Sequence, residues 1–225
     1  ACPIPDSVEF DAAAAIGLSY LTAYFALVVR GKMQPGEVVL INGASSGVGV
    51  AAVALARALG AEIVLGGLTT PAKSASAMAA GADGVIDLTA DDLRDSLRAQ
   101  VAAATGGRGV DLAVDLVGGG VFDATLRAIA DEGRAVVTGF TSGTIPSVKT
   151  NYLLVKNISV VGLTVAAYMR AYSPEIARAQ TAIFDLVLAG KIDPNIKQRF
   201  PFERYMDGLM LIKERKVVGK SVLLM

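Results

Sequence analysis

Histidine and tryptophan are absent from all 225 residues, and cysteine occurs once, at Cys2. Without an imidazole the chain assembles neither a Ser-His-Asp nor a Cys-His centre, and no zinc site that needs a histidine ligand. One thiol makes no internal disulfide and no metal cluster, so no metal is expected and a cytoplasmic setting is the default. Net charge is also missing, because 21 Lys and Arg balance 21 Asp and Glu. No basic field is left to neutralise a phosphate backbone, and nucleic acid is not expected as a partner. Charged residues are only 19% of the chain and hydrophobic ones 53%, which excludes disorder for most of the length and supplies a sizeable core.

One apolar run invites a membrane reading. Residues 12–29 carry no charge over eighteen positions, the lower edge of a membrane span. Ser19, Tyr20, Thr22 and Tyr24 interrupt the run, alanine fills much of it, and no basic region precedes it. A buried helix is therefore expected, with no membrane partner.

What is present is a regular alternation of apolar runs and punctuation. Strands are expected at residues 37–42, 62–65, 84–88, 110–117, 134–140 and 158–165, and helices at 50–59, 72–80, 91–104 (capped by Asp91), 121–130 and 174–188 (opened by Ser173 and Pro174). Residues 153–156 read as a short turn. Strands that are apolar throughout, each followed by a helix and none by a hairpin, imply a parallel sheet covered on both faces. The expected class is α/β, a doubly wound parallel sheet of Rossmann type. Residues 196–200, 202–214 and 221–224 break the rhythm and read as a separate tail.

Gly43-Ala44-Ser45-Ser46-Gly47-Val48-Gly49 lies between an expected strand and an expected helix, the setting a phosphate-binding loop requires. Small residues let the backbone approach a pyrophosphate, whose charge the free N–H groups and the dipole of the helix start favour. Gly49 lets the helix pack closely on the strand. A Walker loop is excluded because no Gly-Lys-Ser/Thr follows. About 20 residues further on, an acid would hold the ribose hydroxyls of NAD. Here the chain reads Gly66-Gly67-Leu68-Thr69-Thr70-Pro71-Ala72-Lys73, small and hydroxylated residues and then a cation, which favours the 2′-phosphate of NADP.

These pieces, with Ser19-Tyr20-Leu21-Thr22-Ala23-Tyr24, Gln34-Pro35-Gly36-Glu37, Asp115-Leu116-Val117-Gly118-Gly119, Gly133-Arg134, Leu154-Val155-Lys156 with Gly162, and Gly219-Lys220, resemble the zinc-free, zeta-crystallin-like quinone oxidoreductases of the medium-chain dehydrogenase/reductase superfamily. The resemblance covers nearly the whole chain. It implies NADP(H) as cofactor and hydride transfer to a small quinone or α,β-unsaturated carbonyl. It also implies cofactor contacts at Ala44, Ser45, Ser46, Gly47, Val48, Gly49, Gly67 and Thr69, with Lys73 on the 2′-phosphate and Arg215 as a second basic ligand. Thr22 would lie near the nicotinamide, and the turns at Val117, Gly118, Gly139, Phe140 and Thr141 would touch the cofactor. No catalytic acid is nominated. Leu88 stands where a tyrosine often assists at the phosphate.

Relatives begin with a GroES-like domain that supplies much of the substrate pocket, and this chain starts at the connection leaving it. The expected organisation is a connecting segment and helix over 1–30, a dinucleotide-binding domain over 31–165, its last long helix over 166–190, and over 191–225 a tail that would return to the catalytic domain and is expected to be partly exposed. The chain is expected to bind cofactor with little or no turnover, and to form a homodimer through the strand that starts at Ile158 and ends at Val165. Two alternatives stand beside this reading. One is a non-catalytic NADP-binding module. The other is a short-chain dehydrogenase, because Tyr152-Leu153-Leu154-Val155-Lys156 fits that family's Tyr-x-x-x-Lys dyad, in which lysine lowers the tyrosine pKa for acid-base work. Against it, the loop comes some forty residues into the chain and Lys156 precedes a strand.

Overall fold

A computed structural model describes residues 3–214 and 219–225. Six strands, Val38–Asn42 (β1), Ile63–Leu68 (β2), Gly84–Asp87 (β3), Val110–Asp115 (β4), Ile129–Val137 (β5) and Ser159–Gly162 (β6), pair in parallel in the order β3-β2-β1-β4-β5-β6. This is the doubly wound order, whose reversal point sits between β1 and β4. All of β1 is buried, and the two-residue period of a strand divides it between two cores. Val39 and Ile41 pack with Ile16, Phe25, Leu55 and Ile183 on one face. On the other face Val38 and Leu40 pack with Leu97, Phe122 and Leu126. Each such side chain contributes about 1.5–3 kcal/mol when fully buried.

The first face is covered by Phe10–Tyr24 (α1), Gly47–Ala58 (α2) and Pro174–Leu188 (α8), the second by Leu93–Ala104 (α4) and Gly119–Ala128 (α5). Three short helices complete the sheet domain, Ser74–Ala79 (α3), Thr150–Lys156 (α6) and Val165–Arg170 (α7). α1 kinks at Gly17 and runs on as a π-helical stretch over Phe25–Arg30, giving a 21-residue apolar helix long enough to cross a bilayer. Its inner side, Ile16, Tyr20, Leu21, Ala23 and Phe25, lies in the core, while Phe10 and Leu18 are exposed. At the opposite end of the sheet from the glycine loop, Arg134 of β5 grips Glu37 with two bonds of 2.6 and 2.7 Å, both side chains largely buried.

The tail forms its own parallel pair, Ile196–Pro201 (β7) with Lys220–Leu224 (β8), and Tyr205–Lys213 (α9) lies between them in sequence. Phe202, Met206, Leu209 and Ile212 are exposed on this unit, in keeping with the expected exposure of the tail.

Several boundaries differ from the sequence reading. α2 begins at Gly47 instead of residue 50, because Ser46 caps it, so three of the seven residues of the glycine loop are helix. β2 runs through Gly66 and Gly67 to Leu68, since pairing with β1 and β3 holds these glycines extended. β5 starts at Ile129 and ends at Val137: the polar Asp131 and Glu132 hid its first half, and a register shift against β4 accommodates them. α4 has Asp92 at its cap position with no side-chain bond, so Asp91 is not the cap. β6 is only four residues long and Val165 opens α7 instead of ending the strand. Residues 153–156 belong to α6.

Candidate functional site

Gly43, with φ at +80°, turns the chain out of β1. The N–H groups of Gly43 and Ala44 both donate to the Gly67 carbonyl of β2, and that of Ser46 donates to Gly43. The Ser46 hydroxyl then accepts from Gly49 N–H at 3.0 Å, an N-cap that starts α2. A Cβ on Gly49 would stand 2.1 Å from the Gly43 carbonyl oxygen, so only glycine lets the helix rest on the loop. Among the described hydrogen bonds none takes the N–H groups of Ser45, Gly47 or Val48. Three free amides and a helix dipole at one point make an anion cradle.

A cleft of about 450 Å³ opens over this cradle, lined by Ser45, Ser46, Gly47 and Lys73 together with Tyr20 and the tail residues Asn195 and Lys220. Lys73 reaches it from the 3₁₀ turn Pro71–Lys73 that follows β2. Lys220 reaches it from the start of β8: its ammonium donates to the Ser19 hydroxyl, and a Cβ on Gly47 would lie 3.3 Å from its Nζ. Burial holds the Lys220 pKa below the ordinary lysine value. No carboxylate pairs with Lys220 among the described residues. A half-buried cation facing the positive end of a helix is unfavourable by itself; an anion placed between the two would satisfy both.

The structure thus brings together Ser45, Ser46, Gly47 and Lys73 in one cleft. Ala44, Gly49 and Gly67 lie buried beneath the loop and shape it. Val117 and Gly118 lie against the Gly139-Phe140-Thr141 turn, joined to it by bonds from Thr141 N–H to the Leu116 carbonyl and from Ser142 N–H to the Val117 carbonyl, and none of these five residues lines the cleft over the glycine loop. Val48 is half-buried in the first turn of α2, Thr69 is exposed beyond β2, and Thr22 donates its hydroxyl to the Leu18 carbonyl. Arg215 lies outside the described residues. Lys220 and its partner Ser19 were not nominated from sequence, where Gly219-Lys220 counted only as one matching piece. The Tyr152 and Lys156 dyad does not assemble at the loop. Tyr152 accepts from Arg94 and faces one cavity, whereas Lys156 donates to the Arg127 and Ile129 carbonyls and faces another.

The family described as "Zinc-binding dehydrogenase" matches residues 47–181. Quinone oxidoreductase-like protein 2 of Bos taurus is 36% identical over 220 residues, 98% of this chain and 62% of its own length. A solved mycobacterial quinone oxidoreductase superposes with a TM-score of 0.90 at 28% identity, over 100% of this chain and 67% of its own. Escherichia coli quinone oxidoreductase in complex with NADPH gives a TM-score of 0.79 at 29% identity, over 99% and 67%. The chain spans about three fifths of the length of the first curated relatives it matches. Zinc in the family description finds no ligand set in these residues: histidine is absent, and among the described residues no group of three Cys, Asp or Glu side chains converges. By the family match, the alignment over 98% of this chain and the shared fold, the chain belongs to the zinc-binding dehydrogenase family, in the zinc-free, quinone-oxidoreductase-like branch of the medium-chain dehydrogenases and reductases.

Proposed function

We propose that this chain is the NADP(H)-binding part of an oxidoreductase that reduces a small quinone or α,β-unsaturated carbonyl. The single observation that carries the reading is the cleft over the glycine loop, where free amides and two lysines converge. In this reading the N–H groups of Ser45, Gly47 and Val48 and the ammonium of Lys220 hold the pyrophosphate. Lys73 holds the 2′-phosphate, with Thr69 beside it. Val117, Gly118 and the Gly139-Phe140-Thr141 turn border the remainder of the dinucleotide. The bound cofactor supplies a hydride. The residues described here orient it and keep its phosphates neutralised, but they wall in only part of a substrate site, so the chain by itself is expected to bind with little turnover. NADPH-bound quinone oxidoreductase among the structural neighbours supports this choice of cofactor.

Calorimetric titration with NADPH and NADH, beside Lys73→Ala, tests the reading. NADPH should bind more tightly than NADH, and the variant should lose about tenfold in NADPH affinity while NADH is unaffected, the size of one charge-assisted bond. Equal loss for both nucleotides would remove Lys73 from the 2′-phosphate, and no binding of either would sink the reading. β6 ends the sheet as an edge, with Ser159 and Gly162 exposed, so a homodimer joined through this strand is part of the proposal. A monomer by light scattering at micromolar concentration would refute that part.

A further inference from the structure

The described residues with fully buried polar side chains are Asn42, Asp115 and Thr125, and Asn42 bonds both of the others. Asn42 ends β1 and Asp115 ends β4, so the group sits at the reversal point of the sheet, between the glycine loop that follows β1 and the Val117–Gly118 turn that follows β4. The Asn42 amide donates to the Asp115 carboxylate at 3.0 Å and to the Thr125 hydroxyl at 2.8 Å, and the Thr125 hydroxyl donates onward to the Val121 carbonyl of α5. The second oxygen of Asp115 accepts from Gly118 N–H at 2.8 Å, and its main-chain carbonyl accepts from Thr138 and Gly139. One residue thereby holds the Gly118 turn by its side chain and the start of the Gly139 turn by its backbone. Gly118 sits at φ +76°, and a Cβ there would meet the Thr144 carbonyl oxygen at 2.8 Å.

On the side of the glycine loop, Asn42 Oδ1 has no hydrogen-bond partner among the described residues and lies 2.7 Å from where a Cβ of Gly67 would stand. That contact explains Gly67, whose carbonyl anchors Gly43 and Ala44: a larger residue would push Asn42 off Asp115. A buried carboxylate and an orphaned amide oxygen are costly in a core. Leucine-like residues would fill the same space at lower cost, so a role beyond filling the core is needed to account for them.

We infer that Asn42 and Asp115 are positioning residues for the dinucleotide: their bond locks the glycine loop and the Val117–Gly118 turn at one fixed separation before cofactor arrives. This rests on the cofactor assignment above, and the wild-type titration tests that assignment separately. The experiment compares Asp115→Asn, Asn42→Asp and the exchange variant N42D/D115N for NADPH affinity and melting temperature. Asn42→Asp sets two carboxylates face to face, and Asp115→Asn leaves one amide oxygen where two acceptors served Asn42 and Gly118, so its NH2 group opposes one of those donors. The exchange restores both bonds, with the new amide at 115 donating to the carboxylate at 42 and its oxygen accepting from Gly118. Val101→Ala, a truncation in the buried side of α4, serves as a control for lost stability alone.

The result expected is about a tenfold loss of NADPH affinity in the folded single variants, recovery in the exchange variant, and unchanged affinity in the control. Affinity in folded Asp115→Asn equal to wild type, or an exchange variant that folds without regaining affinity, would overturn the inference. Should the variants not fold, amide hydrogen exchange on the wild-type chain decides. Gly118 and Gly43 N–H groups protected without NADPH support a preset turn, and protection gained only on adding NADPH overturns it.

Discussion

Lys220→Met separates a residue that holds the fold from one that holds the cofactor, because the two roles predict opposite signs. Methionine keeps the unbranched stem of the lysine and removes its charge. In the free protein the lysine ammonium is half-buried, bonds only Ser19 among the described residues and points at the start of α2, where a helix dipole opposes a cation by about 0.3–1 kcal/mol. Its removal relieves that repulsion and the burial cost, offsetting the lost bond to Ser19, so the melting temperature should stay within about 2 °C of wild type or rise. With cofactor the balance reverses: a charge-assisted bond to phosphate is worth about 1.5–3 kcal/mol, so NADPH affinity should fall roughly 10- to 150-fold. The pH dependence has a definite sign. Burial lowers the Lys220 pKa in the folded protein from 10.5, so between the lowered value and 10.5 the unfolded chain binds more protons and free-protein stability rises with pH. Over the same window NADPH affinity falls, since the phosphate needs the ammonium. Calorimetry and thermal melts across that window, on wild type and variant, read both slopes. Wild-type affinity in Lys220→Met, or a melting point lowered by several degrees with affinity intact, would refute the assignment.

Two further substitutions probe the loop and its support. Gly49→Ala puts a methyl group 2.1 Å from the Gly43 carbonyl oxygen, which only backbone movement relieves. Calorimetry should show NADPH binding abolished, and thermal melts a destabilisation of about 1–3 kcal/mol. Glu37→Gln leaves the Arg134 guanidinium with the carbonyls of Gly31 and Asp111 but no counter-charge. The cost should be about 3 kcal/mol, seen as a melting point roughly 6–12 °C lower, with NADPH affinity of the folded protein unchanged because the pair lies at the far end of β1 from the loop.

Local features of the chain were readable and distant ones were not, and the residues show why. β1 and β4 announce themselves because burial on both faces leaves few polar positions, and the exceptions, Asn42, Asp111 and Asp115, fall at or next to the strand ends. The first half of β5 was illegible because Asp131 and Glu132 sit where the strand bulges, and only its pairing with β4 makes it a strand. The glycine loop was legible as a phosphate cradle since its turn, cap and close packing are made within seven residues. Lys220 was not, for it joins that cradle across 201 residues to Ser19, and nothing local to Gly219-Lys220 points there. The resemblance also mixes two kinds of signal. Gly36-Glu37 and Gly133-Arg134 stand far apart in sequence, yet they prove to be the two halves of one ion pair at the end of the sheet remote from the cleft. That part of the signature reports how the sheet is clamped. The loop and Lys73 line the cleft, and the Asp115-Leu116-Val117-Gly118 stretch closes the end of the neighbouring strand β4; it is in these parts that substitutions should change affinity without first changing the fold.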